Sequence, residues 1–111
     1  MARILLIDSN ENHASALGQF LERQRHSVSV CTRQTDAVNE FIRNGGGFDV
    51  LVIDLTADRR EDWEAFDNLR RLTGPNGAKP GLICTCRGYR GPRMRMRVER
   101  LGAKFVYERQ P

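Results

Sequence analysis

The longest uninterrupted apolar runs in this chain, residues 4–7 and 50–53, hold four residues each. A membrane-spanning helix needs about 20, so no segment reads as a bilayer span. The N-terminal region also lacks an apolar stretch followed by a small-residue cleavage site, and Asp8 ends its first apolar run. No signal peptide is read there, and a cytoplasmic protein is expected. Cysteine is scarce and odd in number, at Cys31, Cys84 and Cys86. Three thiols without an export signal do not make a disulfide framework, so free thiols are expected. No second Cys/His cluster accompanies Cys84 and Cys86, which argues against a four-ligand soft-metal site and reads as two buried strand thiols. The two histidines, His13 and His26, stand alone and receive no role. Gly45, Gly46 and Gly47 are not followed by Gly-Lys-Ser/Thr, so they read as a turn and not as a phosphate loop. No internal repeat is present.

What remains is an ordinary globular composition. The chain has 111 residues, 40% of them apolar and 29% charged. That length suits one domain, residues 1–111, and is too short for a multidomain enzyme. Charge is unevenly placed: the formal balance is −2 over residues 1–80 and +6 over residues 81–111. Such asymmetry hints at an anionic partner for the last third. The basic residues Arg87, Arg90, Arg93, Arg95, Arg97 and Arg100 come without a helix-turn-helix or other nucleic-acid module. They read as a solvated helix face, or as a docking surface for an acidic protein, with nucleic acid a less favoured partner.

Hydropathy patterning alternates strand and helix. Residues 3–7 (RILLI) form a short β-prone run, and Asn10 supplies capping chemistry for a helix over about 10–25 with Ala14, Leu17, Phe20 and Leu21 as its apolar stripe. The period-two segment 27–31 reads as a second strand. A helix over 36–43 follows, its apolar positions Ala37, Val38, Phe41 and Ile42, and glycines stop it. Residues 48–55 (FDVLVIDL) are the strongest strand, apolar enough to be covered on both faces. A third helix is predicted over about 62–72, a fourth strand over 81–86 and a fifth over 105–107. Residues 92–101 fit either period, and Pro92 favours a helix. This βαβαβαβαβ order requires a parallel sheet with helices on both faces. In such sheets the functional crevice lies beyond the carboxyl ends of the strands.

Asp8, Asp54 and Thr85 occupy those ends. Two carboxylates and a hydroxyl brought together there form an acidic pocket: one acid suits a hard divalent cation, the other a nucleophile toward a phosphoryl group. Arg109, after the fifth strand, would neutralise phosphoryl oxygens. The competing reading of each aspartate is a cap for the helix that follows it.

The order and spacing of these motifs resemble the receiver domain of two-component response regulators, the CheY-like family, over nearly the whole chain. RILLID resembles the family's first strand and places Asp8 on the first of its two metal-site acids. FDVLVIDL resembles the third strand and places Asp54 on the phosphoacceptor. GLICTC places Thr85 on the switch hydroxyl, Gly102-Ala103 matches the pair before the fifth strand, and counting onward puts Arg109 on the family's lysine. The resemblance implies a flavodoxin-like, doubly wound, five-stranded parallel sheet. It also implies Mg2+ held by Asp8, Asp54 and the Thr56 backbone, and a phosphoryl group received on Asp54 from a histidine kinase or a small phosphodonor. The change would be read by a downstream protein partner or effector domain; no enzyme acting on other substrates is implied.

Departures from the pattern are specific. Ser9 stands where the family has a second acid, so Mg2+ should bind weakly. Arg109 replaces an ammonium with a larger planar fork. Asp58 and Asp62 stand where proline and glycine are usual, and Glu11 or Asp58 are the candidates to compensate for the charge that Ser9 lacks. Val106 takes the aromatic switch position. The chain ends where a fifth helix would start, so the sheet face beside the first helix is expected to be buried by a second copy or a downstream segment. These departures support an alternative function, a degenerate receiver acting by phosphorylation-independent protein contacts.

Overall fold

Strands and helices alternate from the first residues: β1 (Arg3–Ile7), α1 (Glu11–Arg23), β2 (Ser27–Cys31), α2 (Gln34–Arg43), β3 (Val50–Thr56), α3 (Arg60–Leu69), a 3-10 turn (Pro75–Gly77), β4 (Gly81–Arg87), α4 (Pro92–Arg100) and β5 (Lys104–Tyr107). This computed structural model describes residues 1–56, 59–87 and 92–107. Arg109, Asp58 and the segment 88–91 lie outside the described residues. All pairings are parallel, in the order β2-β1-β3-β4-β5. Among the described residues no helix follows β5.

Alternation along the strands sorts the core into two layers. Odd-numbered residues of β1 and β3 (Leu5, Ile7, Leu51, Ile53, Leu55) face α2, α3 and α4, where Phe41, Phe66, Leu69 and Val98 complete the larger cluster. Even-numbered Ile4, Leu6 and Val52 face α1 and meet Leu17 and Leu21. Each fully buried Leu, Ile or Phe contributes about 1.5–3 kcal/mol, so the first layer supplies most of the hydrophobic stabilisation.

Several expected apolar positions turn outward. Phe20 is 50% exposed and Ile42 65% exposed. The stripe of α1 runs instead through Ala14, Leu17, Gly18 and Leu21, the i, i+3, i+4, i+7 positions of one face. Gly18 is part of that stripe because a Cβ there would come within 3.1 Å of Val30 Cγ2. Phe48 lies before β3, not in it, and stacks on Phe41 with ring centroids 6.1 Å apart. Helical spacing wins in the ambiguous segment: Met94 and Val98 of α4 are buried while its arginines are exposed. The Gly45 to Gly47 turn has a packing role, since a Cβ on Gly46 (φ +71°) would stand 2.5 Å from Gly74 Cα.

Candidate functional site at the carboxyl edge of the sheet

β1 pairs with β2 on one side and β3 on the other, so the winding of the sheet reverses at β1 and opens a crevice at its carboxyl end. Ile7 is level with Ile53, and the next positions along the two strands are Asp8 and Asp54. Asp54 is in turn level with Thr85. Three strands thus deliver the three predicted residues to one place, all on the α1 side of the sheet.

Asp8 is 1% exposed, and a carboxylate so deeply placed requires partners. Its Oδ1 accepts from the Asn10 backbone N–H at 2.9 Å, an Asx turn that swings the chain out of β1. The Asn10 side chain then accepts from the His13 N–H at 2.9 Å and caps α1. The cap of α1 is therefore Asn10 and not Asp8, which instead turns the chain into that cap. The same two turns bring the imidazole of His13, given no role from sequence, back over the strand end, with Nδ1 against Asp8 Oδ2. One ligand atom from each of Asp8, His13 and Asp54 lies within 4.8 Å of the others. His26 is elsewhere, its Nδ1 accepting from the Ala2 N–H at 3.0 Å.

The hydroxyl of Thr85 donates to Asp54 Oδ1 at 2.8 Å. Val106 is level with Thr85 in the β4/β5 register. At the loop after β3, the Thr56 N–H donates to Asp62 Oδ2 at 2.7 Å, and the Thr56 carbonyl accepts from the Arg59 N–H at 3.0 Å. Asp62 therefore clamps the loop from the first turn of α3, where an acid also suits the helix dipole. Glu11 is exposed on α1 and is not among the clustered donors.

The donor set can be compared with what magnesium needs. Mg2+ prefers an octahedron of oxygens; the two carboxylates supply oxygens of the right kind for part of it, whereas the imidazole suits a softer ion. The thiols stay outside the pocket's chemistry. Burial pushes Cys84 up to about 12 and Cys86 up to about 11, with the neighbouring thiol and Asp54 adding to the first and Asp54 to the second. Both are protonated at neutral pH, in keeping with buried strand thiols.

Comparison with solved structures follows the same geometry. A receiver domain protein from Clostridium thermocellum superposes with a TM-score of 0.79 over all of this chain and 85% of its own, at 18% identity. The fold is that of a response-regulator receiver domain. The BeF3-activated N-terminal receiver domain of RstA from Klebsiella pneumoniae gives 0.75 at 13% identity, covering 98% of this chain and 87% of that one. A pilus assembly-related protein from Burkholderia pseudomallei gives 0.72 at 17% identity, covering 96% and 78%. No family model matches the chain, and no curated protein matches it closely enough to count.

Proposed function

We propose that this receiver fold accepts a phosphoryl group on Asp54 and signals through protein contacts in two-component signal transduction. The observation that carries the reading is the 2.8 Å bond from the Thr85 hydroxyl to Asp54 Oδ1 beside the buried Asp8. A carboxylate oxygen of Asp54 attacks the phosphorus of a phosphohistidine or acyl phosphate, the bond to the leaving nitrogen or oxygen breaks, and an aspartyl phosphate results. The Thr85 hydroxyl is within reach of the group so added. Arg109 is assigned the neutralising cation. Asp8, Asp54 and the Thr56 carbonyl would hold a dication, which when bound neutralises phosphoryl oxygens. Magnesium in this role binds weakly because Ser9 contributes no carboxylate.

The partners proposed are a histidine kinase or small phosphodonor, a downstream protein or effector domain, and a second copy of the chain on the sheet face beside α1. The exposed arginines of α4 are read as a docking face for an acidic protein. The reaction is self-catalysed phosphotransfer, without turnover of another substrate. No helix among the described residues is long and apolar enough to cross a membrane, and a cytoplasmic setting is proposed.

Mass spectrometry after incubation with acetyl phosphate and magnesium tests the reading: the wild type gains one phosphoryl group and Asp54→Asn gains none. A wild type that takes no phosphoryl group from any donor supports the second reading, a phosphorylation-independent interaction module. That reading is favoured by the His13 contact to Asp8 and by the Asp62 clamp on the loop.

A further inference from the structure

The acid pair has acquired a nitrogen donor. Asp8 Oδ1 is committed to the Asn10 N–H, which turns Oδ2 toward His13 Nδ1. Asp54 is oriented separately, by the Thr85 hydroxyl on its Oδ1. Each carboxylate thus has a hydrogen bond that fixes its direction, the arrangement that tunes metal ligands. His13 is fixed independently by its place in the first turn of α1. Donors on one zinc ion stand about 3.4 Å apart in a tetrahedron of 2.0–2.2 Å bonds; to seat an ion, the direct contact of His13 Nδ1 with Asp8 Oδ2 must open and the widest separation, within 4.8 Å, must close, both by side-chain rotation. Ser9, where a further carboxylate would favour a hard ion, is exposed.

We propose that Asp8, His13 and Asp54 form a mixed nitrogen–oxygen site that prefers a borderline transition-metal dication, of which zinc is the type, over magnesium. The proposal rests on the reading of Asp8 and Asp54 as a cation-binding pair, and adds that His13 sets which cation. Imidazole suits zinc and its neighbours, while magnesium gains little from a nitrogen ligand and dehydrates reluctantly. Two competing zinc sites in the described residues are disfavoured: the Cys84 and Cys86 thiols are fully buried in the apolar cluster on the other face of the sheet, and one ring nitrogen of His26 accepts from the Ala2 N–H.

Calorimetric titration of the whole chain with Zn2+ and with Mg2+, for the wild type and His13→Gln, is the direct test. The substitution is expected to weaken zinc by at least about tenfold, the usual scale for disturbing a metal site, and to leave magnesium within about twofold. A smaller loss for zinc, or an equal loss for both ions, overturns the proposal. His13→Asp should reverse the preference by tightening magnesium. A measurement on the unaltered chain guards against folding defects: stoichiometric Zn2+ should shift the ring nitrogen resonances of His13 and leave those of His26 in place, and any other pattern counts against the site. Failure of acetyl phosphate to modify Asp54 would remove the phosphoacceptor reading without touching a zinc affinity that depends on His13.

Discussion

On one side of the sheet, α2, α3 and α4 bury Phe41, Phe66, Leu69 and Val98 against Leu51, Ile53 and Leu55; on the other, among the described residues, α1 is the one helix that meets Ile4, Leu6 and Val52. The same strands serve both faces, and they place Asp8, Asp54 and Thr85 on the thinner one. The larger apolar cluster and the acidic pocket are thereby separated by strand alternation. The thick layer fixes where the strand ends lie, and the thin layer can carry buried charge, a polar network and half-buried Val50 and Ile83 without being the main source of cohesion. Functional sites in general accept such local costs.

Paired truncations break the comparison most directly. Phe66→Ala, in the thick layer, should lower the unfolding free energy by about 3–5 kcal/mol. Leu6→Ala, beside one helix that can settle into the space, should fall near the lower end of the range for such changes, about 2–3 kcal/mol. Urea unfolding of both variants measures the gap, and equal losses would show that the two faces are packed alike.

A second effect belongs to the thick layer only. The Cys84 thiol ionises near pH 9.0 when unfolded and is pushed up to about 12 in the fold, chiefly by burial. A folded value above the unfolded one means that the contribution to stability is fully present below pH 9 and is lost as pH rises toward 12. The loss approaches about 1.4 kcal/mol per pH unit. Comparing urea midpoints of the wild type and Cys84→Ala at pH 8 and above pH 10 isolates it: the variant should show the shallower decline.

The smallest expected effect lies on the thin face. Asp54→Asn removes one of two close carboxylates and retains an oxygen for the Thr85 hydroxyl, so it should raise the unfolding free energy by about 0.5–2 kcal/mol at neutral pH. A destabilised Asp54→Asn would mean that the charge on Asp54 holds the pocket together.

Much of this division was legible in the sequence, because period-two runs and strand-end aspartates depend on local order alone. The helix limits were less so. The apolar spacing of α3 extends to Leu72, yet the helix closes at Leu69, since turn geometry before Gly74 and Pro75 overrides periodicity. α2 begins at Gln34 and not at Asp36, because its acid belongs inside the first turn. His13 was not legible: its approach to Asp8 depends on an Asx turn followed by a helix cap. The Asp8-x-Asn10 and Asn10-x-x-His13 spacings are the signal that could have found it. The clamp of Asp62 on Thr56 was hidden for the same reason, being a loop shape and not a hydropathy pattern.

The guanidinium of Arg97 lies 3.9 Å from the centre of the Trp63 ring, and that ring meets Phe66 edge-on at 6.3 Å. Trp63 is the single tryptophan of the chain, placed where α3 and α4 meet. A sliding of α4 would lift the cation from the ring and change the ring's electrostatic surroundings, while the sheet beneath stayed still. The protein carries its own optical gauge: emission from one indole reports the spacing of two helices, with no dye to attach and no second fluorophore of the same kind to subtract.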